Sequence, residues 1–403
     1  MRSSLVFLVL LIALSGCTDR DKATAAVTRR DSADVTIAHL AALNTDALPA
    51  WSSTPLYSTT THDTLQLAGT VTAVFAPDSS LAIGSASDLL SLSPDGHTLR
   101  RLGRQGSGPG EYRGILRVGI AEDSTLFVAD YSGRITHLTA DGRVLGIIPR
   151  LEAGSSRREL DVLGWLGSGR VVATWWQQRP NRGDIVGLPS GNVERDPVPL
   201  LVYDSTGQLI DSLGLWRGLE RALVPPGSRF PIPFARSVVY DARGSTIAIG
   251  PTDSLDVSLF QGTQLTLRLT GSGHQTAPTE ADVSAWRQGI SDDFGEMASV
   301  ILEAMQDAPK LDRLPAVGAL VVDDQRNIWV GEYVTPGTKE RRWTVISPTG
   351  VPVATMVLPA APEAFMPGRS EILDAYGDRL ALLRMSEDGE LSIEVRRFSA
   401  ALD

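Results

Sequence analysis

A single cysteine, Cys17, is the whole thiol content of this 403-residue chain. With no second thiol the chain forms no internal disulfide, so its folded state must be held by a packed core. Histidine is almost as scarce. His39, His62, His97, His137 and His274 are the only five, and no two of them share metal-ligand spacing. No Gly-x-Ser-x-Gly elbow is present, so a nucleophilic hydrolase has no evident nucleophile and no catalytic residue is assigned. Positive charge is in deficit, with 37 Lys and Arg against 47 Asp and Glu, which argues against a polyanion partner and sets nucleic acid aside. After the first few residues no apolar run approaches the roughly 20 residues that a membrane-spanning helix needs. The sequence calls for no cofactor, although a divalent metal gathered in space by the fold stays open.

What is present begins at the N-terminus. Arg2 precedes an unbroken apolar run of 10 residues, Leu5 to Leu14, which suits a signal peptide and is too short to span a bilayer. Leu14-Ser15-Gly16-Cys17 follows and resembles the lipobox of bacterial lipoproteins. The resemblance implies cleavage before Cys17, a lipid on its thiol, and a mature protein anchored in the bacterial cell envelope facing the periplasm. Thr18 rather than Asp follows Cys17, which within that family leans toward the outer membrane. Loss of residues 1–16 removes Arg2 alone, leaving 36 basic against 47 acidic residues and a net charge of −11. Residues 17–50 are small, polar and mixed in charge, and are expected to form a tether.

Beyond the tether the apolar residues follow no helical period. They fall into short β-rich runs separated by Asp, Gly, Ser and Pro. VTAVFAPDSSLAIGSASDLLSLSPDGHTLRRLG, from Val71, and LRVGIAEDSTLFVADYSGRITHLTADGRVLGII, from Leu116, have the same order of strands and turns. Asp78 and Asp123 lie 45 residues apart, and Asp95-Gly96 and Asp141-Gly142 lie 46 apart. Ser168 marks a third first turn, and three further units end at the C-terminus. Four strands per unit at this period predict an all-β six-bladed β-propeller of four-stranded antiparallel blades over residues 51–403. Residues 279–308 break the pattern with a helical insertion between the fourth and fifth blades. There Thr279 and Asp282 make a capping-box-like start, and Val283, Trp286 and Ile290 recur at helical spacing.

The unit from Arg113 to Ile148 resembles the NHL-type repeat of six-bladed propellers. GRQGSGPGEYRG, residues 103–114, is similar to the inter-blade loop of a group of bacterial lipoproteins of that shape. The resemblance implies a fold and a location, and the group carries no agreed activity.

The glycine loop raises the question of a phosphate site. A phosphate cradle needs glycine amides ahead of a helix N-terminus. Here ILRVGIA, a strand pattern, follows; Pro109 removes a donor and Glu111 puts negative charge where the anion would sit. The loop therefore reads as a corner, with Arg104 and Arg113 keeping an anion-binding role open. The Asp-rich turns at Asp78, Asp123, Asp141, Asp241, Asp323 and Asp388 lack the alternating carboxylates of a calcium loop and read as Asp-closed turns. Trp175 and Trp176 must point to opposite faces of a strand, so one of them is a candidate for stacking a sugar or peptide ligand.

The sixth unit shows only three strands, so the missing one is expected from Leu56–Thr60 or Thr64–Leu67. The function expected is that of a lipid-anchored envelope protein that binds an envelope protein, carbohydrate or peptide. Its rival is a metal-dependent propeller enzyme of lactonase or lyase type with its site at the channel mouth.

Overall fold

The computed structural model describes residues 27–400 apart from 33, 41–47, 63–64, 66, 153–157, 179–192, 225–227, 274, 307, 309–310, 361–369 and 387. Cys17, the expected signal segment before it and His274 lie outside the described residues. The chain is all-β, with one helical insertion, and its strands lie in several mainly antiparallel sheets.

A hairpin comes first, β1 (Val27–Ser32) and β2 (Val35–Leu40), followed by β3 (Ala50–Ser58). The remaining strands fall into antiparallel groups. The first is β4 (Val71–Phe75), β5 (Leu81–Ser85), β6 (Asp88–Leu92) and β7 (Leu99–Gln105), with β8 (Glu111–Tyr112) laid parallel on β7. The second is β9 (Ile115–Ile120), β10 (Leu126–Asp130), β11 (Ile135–Leu138) and β12 (Val144–Ile148). The third is β13 (Arg158–Trp165), β14 (Val171–Gln178), β15 (Val193–Tyr203) and the long β16 (Leu209–Val224), which β17 (Ser228–Pro231) extends. The fourth is β18 (Val238–Arg243), β19 (Thr246–Pro251), β20 (Leu255–Gln261) and β21 (Gln264–Gly271).

Two helices, α1 (Glu280–Phe294) and α2 (Ala298–Ala304), come next. The fifth group is β22 (Val317–Val322), β23 (Ile328–Glu332), β24 (Glu340–Ile346) and β25 (Pro352–Pro359). β26 (Ile372–Tyr376), β27 (Arg379–Met385) and β28 (Leu391–Ala400) end the chain.

The repeat seen in the sequence is a repeat of backbone bonds. Ala76, Ala121 and Leu166 each donate their N–H to the carbonyl four residues on, Ser80, Thr125 and Arg170, and the three donors are spaced by the same 45 residues. Asp78 accepts the Ser80 N–H at 3.0 Å and Asp123 that of Thr125 at 3.1 Å, so these aspartates close turns. Asp241 is a correction to that reading. It lies inside β18 and not in a turn.

The inner strands β5, β10 and β22 are buried along their whole length. A strand covered on both faces is apolar along most of its length, hence the runs LAIGS, LFVAD and VGALVV, whose buried Ser85 and Asp130 stand only at strand ends. The cores lie between groups. Val74 and Leu89 of the first group pack with Ile115 and Val128 of the second. Successive groups pair likewise until Ala381 and Val395 of the last meet Phe75 and Ile83 of the first. The leading strands adjoin in the cycle β4, β9, β13, β18, β22, β26 and back to β4.

The last three strands gain their fourth from the other end of the chain. β3 runs antiparallel to β28 from Ser58 opposite Glu394 to Trp51 opposite Ala400, and its first residues also touch β25. The expected closure is present, but the strand is Ala50–Ser58 and not Leu56–Thr60. Pro is tolerated at position 55 because a bulge falls there. Of the second candidate stretch, Leu67 makes a single bridge to Leu391. Trp51, Trp329 and Phe398 lock the seam, with ring centroids 5.3–5.9 Å apart.

The expected tether is shortened. β2 adds in parallel to β21, and Ala38 and Leu40 are fully buried there, so residues 27–40 belong to the folded body. The sequence hid this because VTRRDS is polar on an exposed outermost strand. The helical insertion forms as expected: Thr279 and Asp282 make the reciprocal capping box, and Gly295 ends α1 with φ of 50°.

Removal of β1 and β2 by starting the chain at Pro49 should cost about 3 kcal/mol, the worth of the apolar side chains they bury. Removal of β3 as well should cost far more and cause aggregation, because it leaves the edge of β28 bare. Urea unfolding with light scattering reads both. Equal stabilities for the two truncations would show that β3 does not hold the closure.

Candidate functional site

Strands alternate in direction within each group, so the first and third turns share one end, here the turn end. The second turns and the links between groups share the other, the link end. The glycine loop, the β16–β17 extension and both helices therefore lie at the link end.

In the glycine loop the anion position is taken. The Glu111 carboxylate accepts the N–H groups of Ser107 at 3.1 Å and Gly108 at 2.9 Å, and Arg104 pairs with it at 3.1 Å. These donors, the Gly108 N–H foremost, hold the Glu111 carboxyl below its ordinary range. Arg113 donates to the Ser107 hydroxyl at 2.7 Å. Arg134 bonds the carbonyls of Ser107, Gly108 and Glu111 and pairs with Asp130 at 3.2 Å. Both arginines named from the sequence are thus engaged within the corner itself. The strand pattern after the loop gives no helix dipole, and a side chain supplies the counter-charge instead.

Trp175 and Trp176 sit toward the end of β14, with Trp175 opposite Leu160. Their side chains, and the 179–192 segment beside them, lie outside the described residues. His137 stacks on Trp165 at 4.7 Å and approaches Asp123 at 3.6 Å, so it joins the second group to the third.

The constellation that sequence reading missed lies on the leading strands. Arg117 of β9 pairs with Asp241 of β18 at 2.8 Å, and Asp241 also accepts the Val322 N–H of β22 at 2.8 Å. Tyr240 donates to Asp161 of β13, which faces Arg117 as well. Two residues further along β18, Arg243 pairs with Asp374 of β26 and donates to the Phe75 carbonyl of β4 at 2.8 Å. Asp374 in turn accepts the Phe75 N–H at 2.6 Å. The Arg243 guanidinium lies 5.0 Å over the Tyr376 ring, whose hydroxyl bonds the Pro77 carbonyl. Every group contributes an atom to this axial network.

Burial governs its acids. It raises the carboxyls of Asp161 and Asp241 above their ordinary range, against the pull of Arg117 in both cases. It pushes Asp374 up to about 6 despite Arg243. Tyr240 is raised well above an ordinary phenol, by burial and then by the Asp161 charge. For Arg117 burial works against the charge, but Asp161 and Asp241 outweigh it and keep the guanidinium protonated. Among the described residues no three His, Cys, Asp or Glu side chains are grouped to hold a metal. The signal was in the sequence as a charge inside an apolar strand: Arg117 in ILRVGI, Asp241 and Arg243 in VVYDAR, Asp374 in ILDAY.

A second charged network fixes the link end. Arg195 pairs with Asp253 at 3.0 Å, Arg236 with Glu220 at 2.6 Å, and Asp196 takes both Arg221 and Arg229. It ties the β15–β16 extension to the fourth group. Trp286, Ile290 and Ile301 of the helices then pack on Ala222, Ile232 and Phe234. Phe294, partly exposed, packs edge-on against Phe230 of β17 with ring centroids 5.1 Å apart, while Met297 and Val300 remain exposed.

Arg104→Ala should lose well under 1 kcal/mol, since its pair with Glu111 is a surface one. Gly110→Ala should lose about 1 kcal/mol, because the glycine sits at φ of 72°. A phosphate affinity that falls with Arg104→Ala at unchanged stability would restore an anion site. Arg243→Met alone should cost about 3–5 kcal/mol by stranding Asp374, and the added change Asp374→Leu should recover much of that. The folded-state carboxyl of Asp374 is raised, so its contribution is complete below about pH 4 and is lost as the pH rises through 6. The stability advantage of the native protein over Asp374→Asn should therefore shrink from pH 4 to pH 7. A gap that widens would mean that the ion pair, and not burial, sets this group.

No family model matches the chain, and no curated protein matches it. Many solved structures are similar to it, three of them as follows. An exported protein from Bacteroides fragilis shares 13% identity at a TM-score of 0.44, covering 91% of this chain and 100% of its own. A chain of the mitotic checkpoint complex shares 11% at 0.39, covering 98% of each. BamB from Moraxella catarrhalis shares 13% at 0.32, covering 81% of this chain and 85% of its own.

Proposed function

We propose that this protein is a lipid-anchored six-bladed β-propeller of the bacterial cell envelope that binds a protein partner and carries out no chemistry of its own. The six-blade reading is supported by the cycle of leading strands from β4 to β26 and back, and by β3 completing the last group. Anchoring is supported by Leu14-Ser15-Gly16-Cys17 and the 10-residue apolar run before it.

One observation carries the binding reading: the acids on the axis are already in use. Asp241 and Asp374 are held by Arg117 and Arg243, and Asp161 faces Arg117 and takes the Tyr240 hydroxyl. A divalent cation there would compete with two buried guanidiniums, and a general base would have to abandon its partner. The elaborations lie instead at the link end, where the helical insertion presents Met297 and Val300. Exposed apolar side chains on an ordered helical insertion suit a protein surface better than a polar small molecule.

The test is a double variant, Met297→Ser and Val300→Ser, in a strain where the native protein is crosslinked to its envelope neighbours. The double variant should lose a crosslinked species that Gln325→Ser, at the turn end, retains, with both variants equally folded. Calcium or zinc should leave the melting temperature unchanged. A metal-dependent rise in melting temperature that Asp161→Asn abolishes would replace this reading with the metal-dependent enzyme.

A further inference from the structure

We infer that the link end of the ring faces the membrane that carries Cys17, held there by a leash too short to let the body turn over. The inference rests on the lipid-anchor reading and adds an orientation to it. The hairpin β1–β2 consumes residues that a free tether would otherwise supply. Between Cys17 and Val27 there are ten residue steps. Even fully extended they span at most about 36 Å. A compact body of this chain length measures on the order of 50 Å across. The leash is therefore shorter than the object it holds, and the place where it joins the body decides which end lies near the bilayer.

Strand register gives that place. Val27 lies opposite Leu40, and Leu40 beside Gly271. Gly271 lies opposite Leu255, and Val238, the first residue of β18, opposite Pro251. All of these are at the link end, because β18 starts there and β21 leaves there for the helices. At the other extreme of the same sheet stand the turns after Arg243 and Gln261 and the β1–β2 turn after Ser32. The leash thus joins at the end that bears the helix pair and the β16–β17 extension. The attachment is firm, since Ala38 and Leu40 are fully buried against the fourth and fifth groups. Arg29 also reaches Thr349 at 3.0 Å. A partner that docks at the link end would accordingly be met at the bilayer surface, within the reach of the leash. The turn end, with its Asp-closed corners, points into the periplasm.

The experiment measures the distance of two sites from a bilayer. Lipidated protein purified from cell membranes has its Cys17 thiol blocked, so an introduced cysteine is the only free one. Lys339→Cys marks the link end of the fifth group and Gln325→Cys its turn end; both positions are exposed. Each is labelled with a donor dye, and the protein is placed in phosphatidylethanolamine–phosphatidylglycerol vesicles with an acceptor on the headgroups. Energy transfer should be several-fold greater from position 339 than from 325. A twenty-residue Gly-Ser insertion between Ala25 and Ala26 lengthens the leash to about 100 Å and should bring the two signals together.

Equal transfer with the native leash would overturn the orientation. A difference that survives the insertion would overturn the leash as its cause. Fatty-acid labelling of the native protein, with its loss in Cys17→Ser, is scored separately. If that labelling fails, the anchor reading and the orientation fall together. If it succeeds while the two sites transfer equally, only the orientation is lost.

Discussion

The contact between Arg243, Asp374 and the Phe75 backbone is the constraint on which the arrangement of groups depends. Three strands far apart in sequence, β18, β26 and β4, meet there, and the residues are almost wholly enclosed. Charges removed from water are costly unless their remaining hydrogen bonds are met. Here Arg243 also finds the Phe75 carbonyl and the Tyr376 ring, and Asp374 also finds the Phe75 N–H. That requirement can be met in one arrangement of the three strands. The apolar cores between groups are built from interchangeable Val, Ile, Leu and Ala and tolerate sliding. The polar tie does not, so it contributes register and uniqueness more than net stability.

Arg117 extends the same logic to the rest of the ring. Through Asp241, Asp161 and Tyr240 it links the second, third and fourth groups, and Asp241 carries the tie on to Val322 of the fifth. The leading strands are therefore tied to one another by side chains that satisfy one another. The outside of the ring is held differently, by chain added from the N-terminus. β2 covers the edge of β21, and β3 covers that of β28 while touching β25. Both additions remove exposed strand edges, which otherwise invite pairing with other chains. The β1–β2 addition also fixes where the proposed leash would join the body, so an edge-protecting device and the proposed membrane orientation share one origin.

Much of this was legible in the sequence because it is local. The 45-residue recurrence survives as identical turn bonds at Ala76, Ala121 and Leu166, since a turn is specified by the few residues within it. The capping box at Thr279 and Asp282 and the stop at Gly295 are local as well. The glycine loop was readable for the same reason: Glu111, three residues beyond Gly108, returns to occupy the amides that an anion would need. The readings that failed concern residues whose partners are distant. Asp241 resembled its neighbours in Asp-closed turns, and only Arg117, 124 positions away, reveals it as a strand residue at the axis. Residues 27–40 look like a polar tether because a strand on an outer edge needs few apolar side chains, and their partner is β21, more than two hundred residues on.

The sequence by itself determined the strand-and-turn repeat, the helical insertion and its cap, and the need for a closing strand from the N-terminal side. Each follows from hydrogen bonds or hydrophobic periods confined to short stretches. The tertiary structure alone decided which strand closes the last group, how little chain is left between Cys17 and the body, and that Asp161, Tyr240, Asp241, Arg243 and Asp374 share one axis. Those outcomes depend on which buried charges can satisfy one another across the ring, a property of groups brought together only when the chain has closed.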